Sequence, residues 1–408
     1  MPVDAEQTNS RPKVFFYHGG PGAIISTYRK WVEGDRDALG EVSVAFSAQF
    51  YNLCESLDLQ AYVVSANPNE ELLREGRYTL EHRPKPAWCR GGGLRYHVGH
   101  AWYTFGLILS CLRFRSAIAI VVPEATATPL WAIVRLFGIR IVTVHHCTFW
   151  PAGFRPSGRK AQLTHRIDGW FWEHFVDAAL GVSPECIRQV RSIAPRFKGP
   201  SVVGFAYFRR DYFDAIPPPP EQRSPFRVMF AGRMEENKGV FDIVRMARML
   251  EDARPGAFRW ELCGDGGALA ELKAMVKQQG VTDVITLRGH LAPGQMAEAY
   301  GRSHAVITPT TSRFSEGMNQ VAVEAILAGR PLVSSHVCPA LDVIGGAVVE
   351  VPPDDVEAYA AAIRRLAEDP EFYEEKRRAC APLAEPFYDR AQSWGRQLQK
   401  VIEELLQR

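Results

Sequence analysis

Hydrophobic positions along the chain form short β-rich runs separated by longer stretches with helical spacing. This alternation is typical of parallel α/β units, in which a helix connects each strand to the next. The pattern predicts two sets of strands, and each set can build one doubly wound sheet. The predicted strands are 14–17, 61–65, 117–122, 140–144, 179–182, 202–205, 227–231, 259–263, 284–287, 305–308, 332–335 and 348–351.

The length of 408 residues is too great for one ordinary hydrophobic core and fits two domains. Between the two strand sets lie four consecutive prolines at 217–220, which cannot join a sheet ladder and indicate a linker. We therefore expect an α/β protein with two Rossmann-like domains. The predicted segments are a first domain over 1–210, a linker over 211–225, a second domain over 226–385 and a final segment over 386–408.

The final segment carries an amphipathic helix, predicted over 393–406, with Trp394 on its apolar stripe. Pro382 and Pro386 are expected to separate this helix from a preceding one over 371–381. The stripe needs an apolar surface on which to be buried.

Charge and cysteine usage narrow the class of protein. The net charge is +2, but residues 1–216 carry +6 and the remainder −4. A mildly basic first half suits phosphates or an anionic membrane surface, although scattered surface charges explain it equally well. The charge is far too small to indicate a nucleic-acid partner. The eight cysteines form no C-x-x-C pair, so neither a zinc site nor a disulfide scaffold is expected.

The apolar runs of the sequence do not resemble a signal peptide or a membrane span. The first thirteen residues lack the apolar core of a signal peptide, and no apolar run approaches the length needed to span a bilayer. We therefore expect a cytoplasmic protein.

Candidate chemistry follows the predicted strands, because ligands of open parallel sheets bind beyond the carboxyl ends of the strands. In the first half, a glycine cluster around Gly20 follows the first strand and could approach a phosphate, or form a tight structural turn. His145 and His146 end the fourth strand. No carboxylate spacing accompanies them, so substrate contact by His145 is favoured over metal binding.

The second half is more specific. Gly232 and Arg233 follow one strand, with Lys238 five residues later, and two cations beside a helix start suit a diphosphate. Glu316 precedes a predicted helix and Glu324 lies within it, so both carboxylates can accept hydrogen bonds from sugar or ribose hydroxyls. Alternatively, Glu316 balances the helix dipole and Glu324 is solvated. The apolar neighbours of Glu324 favour a buried carboxylate with a dedicated partner.

In their order and spacing these motifs resemble glycosyltransferase family 4, the retaining transferases of the GT-B fold. That family has a glycine-Arg, a Lys-Gly, a G-D-G turn, an x-G-x loop and an E-x7-E element. The matching residues are Gly232-Arg233, Lys238-Gly239, Gly264-Asp265-Gly266, Arg288-Gly289-His290 and Glu316 with Glu324. The first half resembles the family more loosely. The resemblance implies an acceptor-binding first domain (1–210) and a nucleotide-sugar-binding second domain (226–385) that face each other across a cleft. It also implies a C-terminal helix that crosses back to the N-terminal domain.

The resemblance also implies roles. Arg233 and Lys238 would bind the donor diphosphate, Glu316 would hold the sugar hydroxyls and Glu324 the ribose. His145 would contact the transferring or accepting sugar. The other positions implied in donor binding are Gly20, Gly232, Gly264, Gly289, His290, Leu291, Gly317, Met318, Asn319 and Gln320.

One loop departs from the family. Residues 316–320 read E-G-M-N-Q, where the family commonly has E-G-F-G-L. Since Asn tolerates unusual backbone angles better than most residues, Asn319 is expected to preserve the loop. The changed side chains predict a donor pocket of different shape.

The expected reaction breaks a sugar–phosphate bond while negative charge grows on the leaving diphosphate, which preorganised cations and helix amides stabilise. No D-x-D stands at a strand end, so Arg233 and Lys238 are expected to replace a divalent metal. No cofactor is expected, and the donor would be a UDP- or GDP-sugar. The family implies retention, with the leaving phosphate taking the acceptor proton.

Other activities remain open. A nucleotide-sugar epimerase shares the GT-B fold, as does a glycan phosphorylase, which would carry a lysine-bound pyridoxal phosphate on a longer chain. A sugar-binding protein without activity is disfavoured, because Arg233, Lys238, Glu316 and Glu324 are all present.

The acceptor is inferred from the segment that follows His146. Arg155, Arg159 and Lys160 precede the aromatic triplet Trp170-Phe171-Trp172, which suits a saccharide on a lipid carrier and peripheral contact with an anionic membrane. The alternative is that the aromatic residues belong to the core and the cations are ordinary loop charges. A small soluble acceptor, such as a monosaccharide or natural product, would then be expected.

Overall fold

The computed structural model of the chain describes residues 11–89 and 93–408, so most of the stretch assessed for a signal peptide lies outside it. The chain divides into two compact units. The first comprises residues up to Phe149, Pro156–Tyr207 and Arg390–Arg408. The second comprises Trp150–Arg155 and Phe208–Asp389.

An eight-stranded sheet forms the centre of the first unit, in the order β3-β4-β2-β1-β5-β6-β7-β8. All neighbours pair in parallel except the antiparallel hairpin β3–β4. Its strands are β1 (Lys13–Tyr17), β2 (Gln60–Ser65), β3 (Glu71–Glu75), β4 (Tyr78–His82), β5 (Ile118–Val121), β6 (Arg140–His145), β7 (Ala178–Gly181) and β8 (Ser201–Val203). The six strands predicted for this half are all present. The hairpin was not predicted, because β3 is a polar, largely exposed edge strand without an apolar run.

A six-stranded parallel sheet forms the centre of the second unit, in the order β11-β10-β9-β12-β13-β14. Its strands are β9 (Phe226–Ala231), β10 (Phe258–Cys263), β11 (Ile285–Gly289), β12 (Ala305–Thr308), β13 (Leu332–Ser334) and β14 (Val348–Glu350). All six were predicted, because buried parallel strands produce compact apolar runs. The fold class, an α/β protein with two doubly wound parallel sheets, is confirmed.

Helices cover the faces of both sheets and bury the apolar residues between them. None of the described helices combines the length and apolar character needed to cross a bilayer. In chain order they are α1 (Ile24–Val32), α2 (Phe46–Ser56), α3 (Leu94–Phe114), α4 (Ala132–Arg135), α5 (Arg159–Phe175), α6 (Pro184–Ile193), α7 (Arg210–Asp214), α8 (Val240–Ala253), α9 (Leu269–Gln278), α10 (Pro293–Arg302), α11 (Gln320–Leu327), α12 (Leu341–Ile344), α13 (Val356–Glu368), α14 (Pro370–Tyr388) and α15 (Trp394–Gln407).

The C-terminal helix α15 belongs to the first unit, where it packs against α2. Its Trp394 is fully buried, with its ring 5.1 Å from that of Phe46 and 6.0 Å from that of Phe16. The N–H of Gly395 donates to Gln49 Oε1 at 2.9 Å. The predicted return of this helix to the N-terminal domain is therefore confirmed.

The predicted helix break at Pro382 and Pro386 is wrong. Helix α14 continues through both prolines to Tyr388, and the chain breaks only at 389–393. Each proline removes one backbone hydrogen bond at a cost of about 3 kcal/mol. Packing of α14 against α11 and α13 offsets that cost, and such tertiary packing is invisible in the local sequence.

The residues assigned to a linker, 211–225, belong to the second unit. Helix α7 occupies the first of them. The buried Arg330 then donates to the carbonyl oxygen of Pro217 at 2.7 Å, which fixes the start of the proline run.

Candidate active site

Three glycine turns lie side by side at the carboxyl ends of β9, β10 and β11. The N–H of Gly232 donates to Cys263 O at 3.0 Å, and that of Gly264 donates to Gly289 O at 2.7 Å. A Cβ atom on Gly264 would lie only 1.8 Å from Gly232 O, so the close approach of these turns requires glycine. The turns leave the next side chain, that of Arg233, more than half exposed.

A second close approach fixes Lys238. Gly239 has a φ of +73°, and a Cβ atom there would lie 2.1 Å from Pro309 O in the loop after β12. Beside it, the N–H of Thr311 donates to Asn237 O at 3.0 Å. The segment that carries Lys238 is therefore held by its backbone against the β12 loop.

Lys238 and Glu316 form a largely buried ion pair, in which Nζ donates to Oε1. The other carboxylate oxygen of Glu316 accepts from Thr310 Oγ1 and from Asn319 Nδ2, each at 3.0 Å. A buried ion pair is tolerated when further hydrogen bonds satisfy the charged groups, as they do for this carboxylate. Glu316 is thus rigidly placed before any ligand binds.

Two cations approach one aromatic ring. Lys238 Nζ lies 4.2 Å from the ring centroid of Phe314, and Arg233 Cζ lies 5.6 Å from the same centroid. Arg233 also donates to Glu235 Oε1 at 2.9 Å. The structure therefore brings Arg233, Lys238 and Glu316 together, as the diphosphate site predicted from the sequence requires.

Asn319 joins this cluster to a helix N-terminus. Its φ of +56° is left-handed, as the sequence led us to expect, and it caps α11 by accepting from the N–H of Ala322 at 3.2 Å. Its amide donates to Glu316 at the same time. The cations and Glu316 are consequently adjacent to the positive end of the α11 dipole, which attracts anions. Gly317 and Met318, in the same loop, are buried.

Glu324 lies within α11 and is buried, and its Oε2 accepts from the hydroxyl of Tyr300 at 2.9 Å. Burial, and secondly the charge of Glu324, raises the pKa of Tyr300 well above its ordinary value. The partner expected for a charge among apolar neighbours is therefore present, in a contact separate from the Lys238 cluster.

The remaining positions predicted at the donor site are more open. His290 is exposed just beyond β11, and Leu291 and Gln320 are partly buried. In the first unit, Gly20 is exposed after β1, and its carbonyl accepts from the N–H of Ala66 at 3.0 Å.

His145 is placed differently from its predicted role. Its ring is fully buried, with Nδ1 at 3.2 Å from Glu124 Oε1 and Nε2 at 3.2 Å from Thr143 Oγ1. Trp172 Nε1 also contacts Thr143 Oγ1 at 3.2 Å. With both ring nitrogens engaged inside the unit, His145 acts here as a packed, hydrogen-bonded core residue rather than as an open sugar contact.

A second histidine pair lies beside it. The rings of His18, after β1, and His146, after β6, stack at 6.2 Å, and His146 also stacks on Trp394 at 6.2 Å. Nδ1 of His18 and Nε2 of His146 are buried without a hydrogen-bond partner among the described residues. Burial lowers the pKa of His18 to about 4 and that of His146 to about 3, so both are neutral at pH 7.

The aromatic triplet proposed to line an acceptor site is divided. Phe171 and Trp172 are fully buried in the first unit, which fits the core alternative, whereas Trp170 is half exposed. Arg159 and Lys160 are exposed at the start of α5.

Metal coordination was assessed among the described residues. No group of three or more His, Cys, Asp or Glu side chains there could hold a metal ion.

Comparison with known proteins identifies the class of enzyme. Residues 214–384 match the family model described as "Glycosyl transferases group 1". Glycogen synthase of Mycobacterium tuberculosis strain H37Rv is 25% identical over 294 residues, covering 69% of this chain and 68% of the relative. D-inositol 3-phosphate glycosyltransferase of Streptomyces avermitilis is 30% identical over 170 residues, covering 39% of this chain and 36% of the relative.

A solved structure extends the similarity to the whole fold. The structure described as "Trehalose-6-phosphate from E. coli bound with UDP-2-fluoro glucose" has a TM-score of 0.67 at 12% identity, covering 97% of this chain and 99% of that one. The protein is a glycosyltransferase.

Several residues of this glycosyltransferase's candidate site were missed from the sequence. Thr310 and Phe314 shortly precede Glu316, and their closeness in sequence was a usable signal. Tyr300 gave no such signal, because it reaches Glu324 from a different helix. His146 was noted at a strand end, but only the fold shows that its ring stacks on that of His18.

Proposed function

We propose that the protein is a retaining, metal-independent hexosyltransferase of the family 4 type. It would transfer a sugar from a nucleoside-diphosphate sugar, such as a UDP- or GDP-sugar, to a saccharide or lipid-linked saccharide in polysaccharide biosynthesis. The observation that carries the proposal is the approach of Arg233 and Lys238 to the ring of Phe314, next to the buried Glu316 and the start of α11.

The chemistry follows from this cluster. As the sugar–phosphate bond lengthens, the leaving diphosphate gains charge that Lys238, Arg233 and the α11 amides would stabilise. These groups are already ordered by backbone contacts and hydrogen bonds, so little reorganisation is needed during the reaction. Glu316 would accept hydrogen bonds from sugar hydroxyls, and Glu324 from the ribose, since carboxylates are acceptors only.

The first unit would supply neutral groups for the acceptor. His18 and His146 are uncharged at pH 7 and only partly buried, so the exposed part of each ring would meet an acceptor hydroxyl. A neutral imidazole can donate and accept, which suits sugar hydroxyls. In a retaining mechanism the leaving phosphate takes the acceptor proton, so this site needs no charged general base.

The comparisons support the donor class and leave two kinds of acceptor. The E. coli structure is described with UDP-2-fluoro glucose, and glycogen synthase is named for a polymeric saccharide. The relative named for D-inositol 3-phosphate favours a second candidate, transfer to a small water-soluble acceptor. Cys54, Cys111 and Cys186 carry buried thiols that form no disulfide, which suits the cytoplasmic location that we propose.

The test begins with a thermal-shift screen of UDP- and GDP-sugars. A ligand at a hundred times its dissociation constant stabilises the protein by about 2.7 kcal/mol, which is readily detected. The donor found is then incubated with saccharide acceptors in the presence of EDTA, and the anomeric configuration of the product is determined by NMR. Donor turnover without any acceptor would favour an epimerase, and loss of activity restored by Mg²⁺ or Mn²⁺ would contradict metal independence.

A further inference from the structure

The first unit presents an apolar and basic surface that its own fold does not use, here called the α3–α5 face. Nine of the fourteen large hydrophobic side chains that are exposed among the described residues lie on or directly after α3, α4 and α5. They are Leu94, Val98, Trp102, Phe105, Leu136, Phe137, Leu163, Ile167 and Trp170.

The three helices are neighbours on one side of the sheet. Helix α4 contacts both α3 and α5, and all three pack against residues 128–131, where Trp131 is fully buried. The crossovers into β5, β6 and β7 run in the same direction across the sheet, and right-handed connections place such helices on the same face. The nine side chains therefore belong to one surface.

Helix α3 is apolar on two opposite sides. Tyr103, Leu107 and Ile108 face the sheet and are buried. On the solvent side, Leu94 is 80% exposed and Trp102 66% exposed. At 100° per residue, the stripe of residues 94, 98, 102 and 105 spans only about 80°. A helix that is apolar on both sides is normally buried, so this stripe indicates a partner outside the unit.

The positive charge around the apolar stripe of α3 indicates what kind of partner would cover it. Residues 94–175, from the start of α3 to the end of α5, contain nine Arg and Lys and three acidic residues, Glu124, Asp168 and Glu173, although the whole chain is only +2. Glu124 contacts the buried His145. Six cations on α3 or α5, or directly after α3, are exposed and form no ion pair with a described residue. They are Arg95, Arg113, Arg115, Arg159, Lys160 and Arg166.

We propose that the α3–α5 face docks on an anionic lipid bilayer. Aliphatic and aromatic side chains would enter the interface while the flanking cations meet lipid phosphates, the arrangement of interfacial helices. A second copy of this chain is disfavoured, because a symmetric dimer would oppose two strongly basic surfaces. A nucleic acid is less well matched than a bilayer, because five of the nine apolar side chains are aliphatic and offer no ring on which bases stack. They are Leu94, Val98, Leu136, Leu163 and Ile167.

The proposal stands on the surface alone and does not depend on the donor chemistry. It is tested by co-sedimentation of the full chain with phosphatidylcholine vesicles, with and without phosphatidylglycerol, in the absence of any donor. Binding is expected only with phosphatidylglycerol, and it should weaken as salt screens the charges.

Paired variants separate the two contributions. Leu94→Ser with Trp102→Ser should weaken binding at least about tenfold, the factor that corresponds to 1.4 kcal/mol. Arg95→Glu with Arg166→Glu should weaken it more than about 25-fold, since each cation near an anionic surface contributes about 1 kcal/mol. The matched controls are Val32→Ser with Leu72→Ser, which are exposed elsewhere on the first unit, and Lys273→Glu with Lys277→Glu on α9.

Three results would overturn the proposal. They are no sedimentation with phosphatidylglycerol vesicles at low salt, equal binding by face and control variants, and a dimer in light scattering that dissociates in the Leu94 and Trp102 variant. Unchanged melting temperatures of the variants would confirm that each is folded. Failure here would leave the transferase proposal intact, because the vesicle assay contains no donor.

Discussion

At the carboxyl ends of their parallel strands the two units carry opposite kinds of chemistry. The second unit places charged groups in partnered positions, with Lys238 against Glu316 and Arg233 against Glu235. The first unit places the neutral imidazoles of His18 and His146 against aromatic rings, and one buried nitrogen of each ring has no hydrogen-bond partner among the described residues. The same sheet architecture therefore carries paired charges in one unit and neutral rings in the other, and the proposed donor and acceptor roles rest on this contrast.

This difference has a physical cause. A buried charge is stable only with a partner of opposite charge. The second unit therefore pairs its buried cation and carboxylate with each other within its own fold. A neutral imidazole costs less to bury than a charge, so the first unit can tolerate an unpaired ring nitrogen at a cost of about 1–3 kcal/mol. Each prediction below perturbs one side of this contrast.

The largest effect is expected at Lys238. Lys238→Met removes a preorganised cation and should lower the turnover of the donor sugar by about 10²–10³. It also leaves the buried Glu316 carboxylate without its ion-pair partner, which should cost about 3–5 kcal/mol of folding free energy. Steady-state kinetics and urea unfolding measure the two consequences.

A double variant separates catalysis from folding. Lys238→Met with Glu316→Gln should recover much of the stability, because no unpaired charge remains, yet its turnover should stay well below that of Glu316→Gln alone. Lys277→Met, an exposed lysine of α9, is the matched control. Equal turnover of the double variant and of Glu316→Gln would show that Lys238 serves the fold alone.

The charged residues of the second unit could be predicted from the sequence more readily than the histidines of the first. All twelve strands predicted from the sequence are present, because buried parallel strands are compact apolar runs, whereas the polar hairpin β3–β4 was missed. The charged residues proposed for the donor site could be singled out because each follows such a run. The misplaced expectation was His145. Neighbouring histidines at a strand end look equivalent in sequence, and only packing of Glu124 and Thr143 distinguishes the buried one from His146.

A second prediction concerns acid stability of the first unit. Burial lowers the pKa of His146 to about 3 and that of His18 to about 4, below the value of about 6.5 in an unfolded chain. Between pH 6.5 and these values the unfolded chain binds protons that the folded protein excludes. The free energy of unfolding should therefore fall as pH drops below about 6.5, by up to about 1.4 kcal/mol per pH unit for each histidine.

The variant His146→Phe should flatten this dependence while retaining a ring against Trp394. Melting temperatures measured from pH 7 down to about 4.5 should fall less steeply for His146→Phe than for the native chain. His290→Phe, in the exposed turn after β11, controls for the substitution itself. An unchanged slope in His146→Phe would mean that the folded protein accommodates the protonated ring.

A third and smaller effect is expected at Tyr300. Tyr300→Phe removes the hydroxyl that donates to Glu324 and leaves a buried carboxylate oxygen without that donor. The cost should be about 1–3 kcal/mol of stability, seen in urea unfolding. Tyr300→Phe combined with Glu324→Leu should lose less than the sum of the two single variants, whereas strict additivity would indicate that the hydroxyl and the carboxylate do not interact.

The smallest effect tests how Asn319 replaces the glycine that the resembled family commonly has. Asn319→Gly keeps the left-handed backbone but loses two contacts, the cap on Ala322 and the donation to Glu316. Replacing an Asn cap by Gly costs only a few tenths of a kcal/mol, so stability should fall by less than about 1 kcal/mol. Asn319→Ala loses the same contacts and must also hold a φ of +56°, so its stability should fall further, by about another 1 kcal/mol.

Urea unfolding of both variants measures the difference in stability, and donor turnover gives the second readout. Glu316 keeps Lys238 and Thr310 in either variant, so turnover should decline by less than about tenfold, well below the effect of Lys238→Met. Equal stability of the Gly and Ala variants would show that backbone strain plays no part, and that Asn319 is retained for its side-chain contacts alone.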